Sequence, residues 1–321
     1  ENLPPAWDSA NYGRVTSGSA LALKARVALY AGDYEIAAKA AKSVMDSGCY
    51  AIDDDYGSLF TYDGVDSKEI ILSVQYLNGV KVNGNPKYLG TRLANGYSII
   101  VPLQNLVDTY QCTDGKAIDK SLVYNSGDPF NYRDPRLKAS ILYPGEWHSG
   151  FKFETHPDSL KTSAIINGEE VRVGNLEVTN AYGTFTGYIC KKYFDARDIP
   201  DNVLKSELPF ILFRYAEVLL TYAEAKIEMN KIDQTVLDAM NQVRARAYKA
   251  DYTGNGYPKI TTTDQNELRT ILRAERRMEF AWENLRLYDI WRWRIAEKVL
   301  NYANYGLPAK DQKNQRRYID D

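Results

Sequence analysis

Glu275, Glu279 and Glu283 stand four residues apart in the run LRTILRAERRMEFAWENLRLYDIWRWR, residues 268–294. Paired carboxylates are the machinery of glycoside hydrolysis, one as acid and one as nucleophile or base. The setting argues against that chemistry. Arg273, Arg276, Arg277, Arg286, Arg292 and Arg294 share the run, and a guanidinium beside a carboxylate keeps it ionised and ion-paired rather than free to give up a proton. Apolar residues at Leu268, Ile271, Leu272, Met278, Ala281, Trp282 and Leu285 recur at the three-and-four spacing of a helix. The three glutamates then line one ridge, where like charges repel by roughly a few tenths of a kcal/mol per pair unless a cation faces them. A solvated charged face is the plain alternative. Trp282, Trp291 and Trp293 weigh against it, because such side chains are costly to leave in water. The run reads as a helix packed between other helices, with Glu279 or Glu283 buried against an arginine.

No other catalytic constellation assembles. The only histidines are His148 and His156, and neither sits in a nucleophile motif. HExxH, Walker, GxSxG and dinucleotide signatures are all missing. Asp53-Asp54-Asp55 lacks the remaining ligand spacing of a calcium loop and reads as a solvated turn. Cys49, Cys112 and Cys190 have no metal-like spacing and read as isolated, mostly buried thiols without a disulfide.

Aromatic residues offer a different chemistry. The chain has 25 Tyr and 5 Trp. A Tyr or Trp face can stack on the apolar C–H face of a sugar while neighbouring polar groups bond its hydroxyls. Most of the tyrosines are expected to be packing, and so is Trp7. The exceptions lie in loop-rich sequence. Tyr143, Trp147, His148 and Phe151 cluster in ILYPGEWHSGFKF, where Pro144, Gly145 and Gly150 favour an exposed turn. Tyr88 and Tyr97 flank KYLGTRLANGY, and Phe130 and Tyr132 follow NSGDP. The candidate ligand-binding residues are Trp147, Tyr143, His148, Tyr88 and Tyr97, with Trp147 first.

The elements that must position these residues are mostly helical. Residues 19–48 predict a hairpin: Ser19 as N-cap of a helix through Ala31, a break at Gly32-Asp33, and a second helix from Tyr34 to about Ser47, with Gly48 as the stop. Ala37, Ala38, Ala40 and Ala41 would let the helices approach closely. Residues 208–303 predict two more pairs. A nearly all-apolar helix runs from Pro209 to about Met229, with Arg214, Glu217 and Glu224 on one ridge, followed by a helix from about Thr235 to Tyr248. A third pair spans 264–303, with Asp264 as N-cap and a break near Asn284. Such hairpins bury their apolar faces only by stacking on one another. Between the first and second pairs lies a long insertion, residues 50–207. It carries strand-like runs at Glu69–Gln75, Leu137–Leu142, Glu170–Val173 and Gly187–Tyr193, and a short helix at Leu103–Tyr110. A long ordered segment on a rigid support is where a binding surface is expected. The whole is predicted to be one mainly α domain, residues 1–321, of tetratricopeptide-like hairpins with a loop-rich, partly β insertion.

Two runs carry a resemblance. Glu275, Arg276, Arg277, Glu279, Phe280, Glu283, Arg286, Asp289, Arg292 and Trp293 resemble the C-terminal signature of the SusD/RagB family of outer-membrane nutrient-binding lipoproteins. LPFILFRYAEVLLTYAEAK, residues 208–226, followed by NQVRARA, residues 241–247, resembles a second signature in the same order. The resemblance implies an α–α superhelix that captures a nutrient oligosaccharide at the cell surface of a Gram-negative outer membrane. It also implies a TonB-dependent, SusC-like barrel transporter as partner, no cofactor and no bond broken. Relatives carry a signal peptide, a lipid anchor and further helices before the point where this sequence begins. The chain therefore reads as an internal and C-terminal portion of such a protein, with membrane contact only through an anchor absent from it. A peptide or other non-sugar nutrient, and a protein-interaction scaffold without a small ligand, are the competing readings. The formal charge of −2 gives no electrostatic case for nucleic acid. No apolar run approaches the roughly 20 residues that cross a bilayer.

Overall fold

A computed structural model describes residues 2–301, 303–308 and 316–319. The outermost limits of the predicted domain, residues 1 and 320–321, lie outside the described residues. The helical scaffold opens with α1 (Ser17–Ala31) and α2 (Tyr34–Asp46). The cap of α1 is Thr16 rather than Ser19: the two residues form a reciprocal capping box, so Ser19 is the third residue of the helix. Gly32 ends α1 in the left-handed conformation, φ 79°, which glycine takes without steric cost.

The insertion begins with β1 (Ile70–Val74), α3 (Asn85–Leu89), α4 (Gln104–Thr109) and α5 (Pro135–Ser140). The expected strand at 137–142 is thus mostly helix. Asp134 caps it and Pro135 fills its first position, and only β2 (Ile141–Leu142) is extended. Next come β3 (Trp147–His148), β4 (Phe151–Lys152), β5 (Lys161–Ile166) and β6 (Glu169–Gly174), a four-stranded antiparallel meander in that order. The β5–β6 turn is Asn167-Gly168, both at positive φ, as a two-residue hairpin requires. The insertion closes with α6 (Leu176–Thr179) and β7 (Ile189–Cys190), which pairs with β2.

Residues 210–214 form a strand, β8 (Phe210–Arg214), antiparallel to β1, where a helix was expected. An apolar run of this length fits either structure by periodicity; pairing with Ile70–Val74 decides it. α7 (Tyr215–Glu228) follows directly and is buried on nearly every side. Arg214 therefore sits on a strand end and not on one helical ridge with Glu217 and Glu224. α8 (Gln234–Ala247), α9 (Gln265–Glu279), α10 (Arg286–Arg292) and α11 (Ala296–Leu300) complete the scaffold, and β9 (Asn304–Pro308) pairs with β10 (Arg316–Ile319). Asp264 caps α9 as expected. The chain breaks after α9, where Trp282 and Asn284 take positive φ. The main core is made where α1, α2, α7, α8 and α9 meet, through Ala22, Ala41, Leu219, Ala223, Met240 and Leu272. Among the described residues no helix is long and apolar enough to cross a membrane.

Candidate functional site

What fixes the insertion to the scaffold is the glutamate ridge, of which Glu275 and Glu279 lie on α9 while Glu283, expected on the same helix, lies in the turn that follows because the helix ends at Glu279. Glu279 is fully buried. One of its oxygens accepts from Arg214 at 2.6 Å and from Arg246, and the other from Arg136 at 2.9 Å. Glu275 accepts from Arg244 at 2.6 Å and Arg136 at 3.1 Å. Glu283 accepts from Arg214 at 2.6 Å and Lys192 at 2.7 Å. Glu69, just before β1, accepts from Arg214 at 2.7 Å and Arg246 at 2.8 Å. Asp134 grips Arg136 at 2.7 Å. Five carboxylates thus face five cations in a buried block. Arg136 and Lys192 belong to the insertion, Arg214 to β8, Arg244 and Arg246 to α8. The cations facing the ridge come from other elements and not from the arginines of the run itself. Of those, Arg276 makes a two-pronged bond to Asp289, and Arg292 pairs with Glu224 and Asp289. Burial pushes the Glu279 carboxyl up, but Arg246, Arg214 and Arg136 outweigh it and hold the pKa far below the usual range. Glu279 and Glu283 are held ionised by the cations around them, and all four glutamates are saturated with donors, so none is placed to act as a general acid.

The Asp53–Asp55 turn is also structural. Asp53 accepts from the Asp55 amide at 2.9 Å, and Asp55 accepts from the Gly57 and Ser58 amides. Cys49, Cys112 and Cys190 are free thiols; Cys49 is exposed and the other two are buried.

The aromatic candidates separate into two kinds. Trp147 lies on β3 with 43% of its surface exposed. Tyr88 and Tyr97 are 43% and 39% exposed and meet edge to face with ring centroids 6.0 Å apart. Tyr143 is only 8% exposed and stacks on Phe130 at 4.0 Å, so one ring face is already covered. His148 lies against Phe194, centroids 5.5 Å apart. Burial, and then the charge of Lys191, push its pKa down to about 4, so the ring stays neutral at ordinary pH.

Phe194 packs against a neighbour of each group: its ring lies against His148, 5.5 Å between centroids, and touches Gly90, where an added Cβ would come within 2.2 Å of it. Trp147 itself projects from the face of β3 opposite to His148. The loop carrying Tyr88 and Tyr97 is folded back on itself: the Tyr97 amide donates to the Lys87 carbonyl at 2.6 Å and the Ser98 amide to Gly90 at 3.0 Å. The Lys87 ammonium sits 4.6 Å over the Tyr97 ring and bonds the Asn95 side chain at 3.0 Å. Glu177 of α6 braces the loop from behind by accepting from the Leu93 amide at 3.1 Å. Its burial pushes its pKa up to about 7, against the lowering effect of the Leu93 and Arg92 amides. The result is a pair of half-exposed aromatic platforms on pre-ordered backbone.

Sequence reasoning missed a third aromatic group. Trp291 on α10, expected to pack within the scaffold, is 59% exposed. It meets Tyr288 at 5.8 Å, which stacks on Tyr30 at 5.7 Å. The signal was present, because the seven-residue α10 places Leu287, Tyr288 and Trp291 on one face at three-and-four spacing.

Comparison with known proteins agrees with this architecture. The model of the SusD family matches residues 68–319. A SusD-like carbohydrate-binding protein of Bacteroides fragilis superposes with a TM-score of 0.85 at 30% identity, over 99% of this chain and 62% of that one. A second SusD-like protein of Bacteroides fragilis gives 0.72 at 29% identity, over 95% of this chain and 59% of that one. A SusD-like protein of Formosa agariphila is 26% identical over 291 residues, 88% of this chain and 52% of its own length. The chain spans about half the length of the curated relatives it matches. With the helical-hairpin scaffold, the arginine-saturated ridge and a family match over most of its length, the chain belongs to the SusD family.

Proposed function

We propose that the chain captures a nutrient oligosaccharide at the outer face of an outer membrane and delivers it to a TonB-dependent barrel transporter, without breaking a bond. The observation that carries the reading is the pair of half-exposed aromatic platforms, Trp147 and Tyr88–Tyr97, on backbone held rigid by Phe194 and Glu177. A solved relative at 30% identity is described as carbohydrate-binding, and the family's position at the outer membrane supports the transporter as partner. Trp147 and Tyr97 act as stacking faces, and Arg92 and Lys87, which lie over the Tyr97 ring, with Asn95 beside Lys87, orient the sugar there. Calorimetric titration against a glycan panel tests this. Trp147→Ala is expected to weaken binding, by analogy with base–aromatic stacking, by about 1–3 kcal/mol, or roughly 5- to 150-fold. Unchanged affinity would move the site elsewhere. Incubation with the same glycans should release no new reducing ends.

The exposed Tyr288–Trp291 pair favours a second reading, that the scaffold presents a protein-contact surface. It predicts that Trp291→Ala leaves glycan affinity unchanged while weakening assembly with the transporter.

A further inference from the structure

A cavity of about 290 Å³ opens where α5, the residues after β7 and the C-terminal end of α8 meet. Five basic side chains line it, Arg136, Lys138, Lys191, Arg246 and Lys249, with one acidic side chain, Asp55. Arg136 and Arg246 are neutralised from behind by the buried carboxylates, although the Arg246 Nε is buried without an acceptor among the described residues. Lys249 pairs with Asp55 at 2.8 Å and Lys138 with Glu146 at 3.1 Å, both at the surface, where such pairs hold weakly and rearrange readily.

Lys191 differs from both. Its ammonium donates to the Lys138 carbonyl at 2.8 Å, and no carboxylate lies in salt-bridge range of it among the described residues. Burial, opposed by Glu146 and reinforced by Lys138, leaves its charge poorly compensated. The cavity therefore carries more positive charge than its own carboxylates match. It borders β3 on the face of Glu146 and His148: Glu146 pairs with Lys138, and Lys191 is near enough to His148 to lower its pKa, while Trp147 between them projects from the opposite face. Its volume, about 290 Å³, is at the low end of the roughly 300–1,000 Å³ of ligand pockets, with room for an anionic substituent of a larger ligand.

We propose that this cavity is an anion subsite and that the captured glycan is acidic, its carboxylate or sulfate ester held by Lys191 and Lys138. This rests on the glycan-binding reading above. Charge-assisted bonds from two ammonium groups supply the selectivity for an acidic over a neutral sugar.

The test titrates the chain with matched pairs: oligogalacturonate against its carboxyl-reduced form, and a sulfated galactan oligosaccharide against its desulfated form. The two arms separate a carboxylate from a sulfate ester. The acidic member of at least one pair is expected to bind tighter by at least about fivefold, and the preference to shrink with added salt. Lys191→Met should abolish the preference without changing the neutral affinity, Lys191→Arg should restore it, and Trp147→Ala should weaken both members. Lys138→Ala, on an exposed side chain, provides the same readout should Lys191→Met fold poorly. Equal affinity within both pairs, or a preference that survives both lysine substitutions, overturns the acidic-glycan assignment while leaving glycan binding standing. No binding of any member overturns both.

Discussion

The ridge beneath α9 and the aromatic face of the insertion place costly side chains in opposite ways. On the ridge, charges sit in the interior and every carboxylate meets two or more guanidinium or ammonium groups. On the insertion, large rings stay half in water at Trp147, Tyr88 and Tyr97, while Phe194, against His148 and Gly90, is buried. A buried ion network is poor evidence of net stability, because desolvation offsets much of the attraction. What it provides here is position: Arg136 and Lys192 come from the insertion and close onto Glu275, Glu279 and Glu283. The lesson of the comparison is that the network fixes where the insertion sits, and the exposed rings use that placement.

The largest expected effect breaks the network. Arg214 alone bonds Glu69, Glu279 and Glu283, so Arg214→Met leaves uncompensated buried charge and should cost about 3–5 kcal/mol in denaturant unfolding. A loss under 1 kcal/mol would mean that the ridge is not under-compensated by removing its central cation. Next comes pH, where the two regions should respond in opposite directions. The Glu279 carboxyl is depressed, so its contribution is present above the ordinary value of 4.5 and lost as pH falls toward its folded-state value. The Glu177 carboxyl is raised from 4.5 to about 7, so the support it gives is present in acid and lost as pH rises through that window. Amide exchange should therefore show residues 91–97 loosening from pH 4.5 to 7 while the amides of α9 stay protected, and α9 loosening only below pH 4.5. The same pH trend in both regions would contradict the assignment. The smallest effect is expected from Lys249→Ala, which breaks an exposed pair with Asp55 and should leave the denaturant midpoint unchanged.

Much of the scaffold was legible in the sequence because its signals are local. The hairpin break at Gly32-Asp33, the Asp264 cap and the buried ridge all follow from spacing and residue type. What was misread depends on distant partners. Residues 210–214 look helical alone and become a strand because Ile70–Val74 lies beside them. The ridge attracted the nearest arginines as expected partners, yet Arg136, Arg214, Arg244 and Arg246 arrive from sites 31 to 143 residues away in bonds that no periodicity encodes. Two local signals went unused: Asn167-Gly168 between alternating runs marks the β5–β6 hairpin, and Asp134-Pro135 marks the start of α5. In the candidate site, Trp147, Tyr88 and Tyr97 were legible as aromatics in turn-rich sequence. The covering of Tyr143 by Phe130 was not, because it depends on a residue in another loop.

The division of labour between ridge and insertion is tested most directly by Trp147→Ala, with glycan affinity and thermal midpoint measured on the same preparation. The account predicts at least several-fold weaker binding, by about 1–3 kcal/mol, with the midpoint essentially unchanged. A midpoint that falls along with affinity would make Trp147 part of the packing that holds the insertion together, and unchanged affinity for every bound glycan would place recognition away from this face; either result contradicts the account.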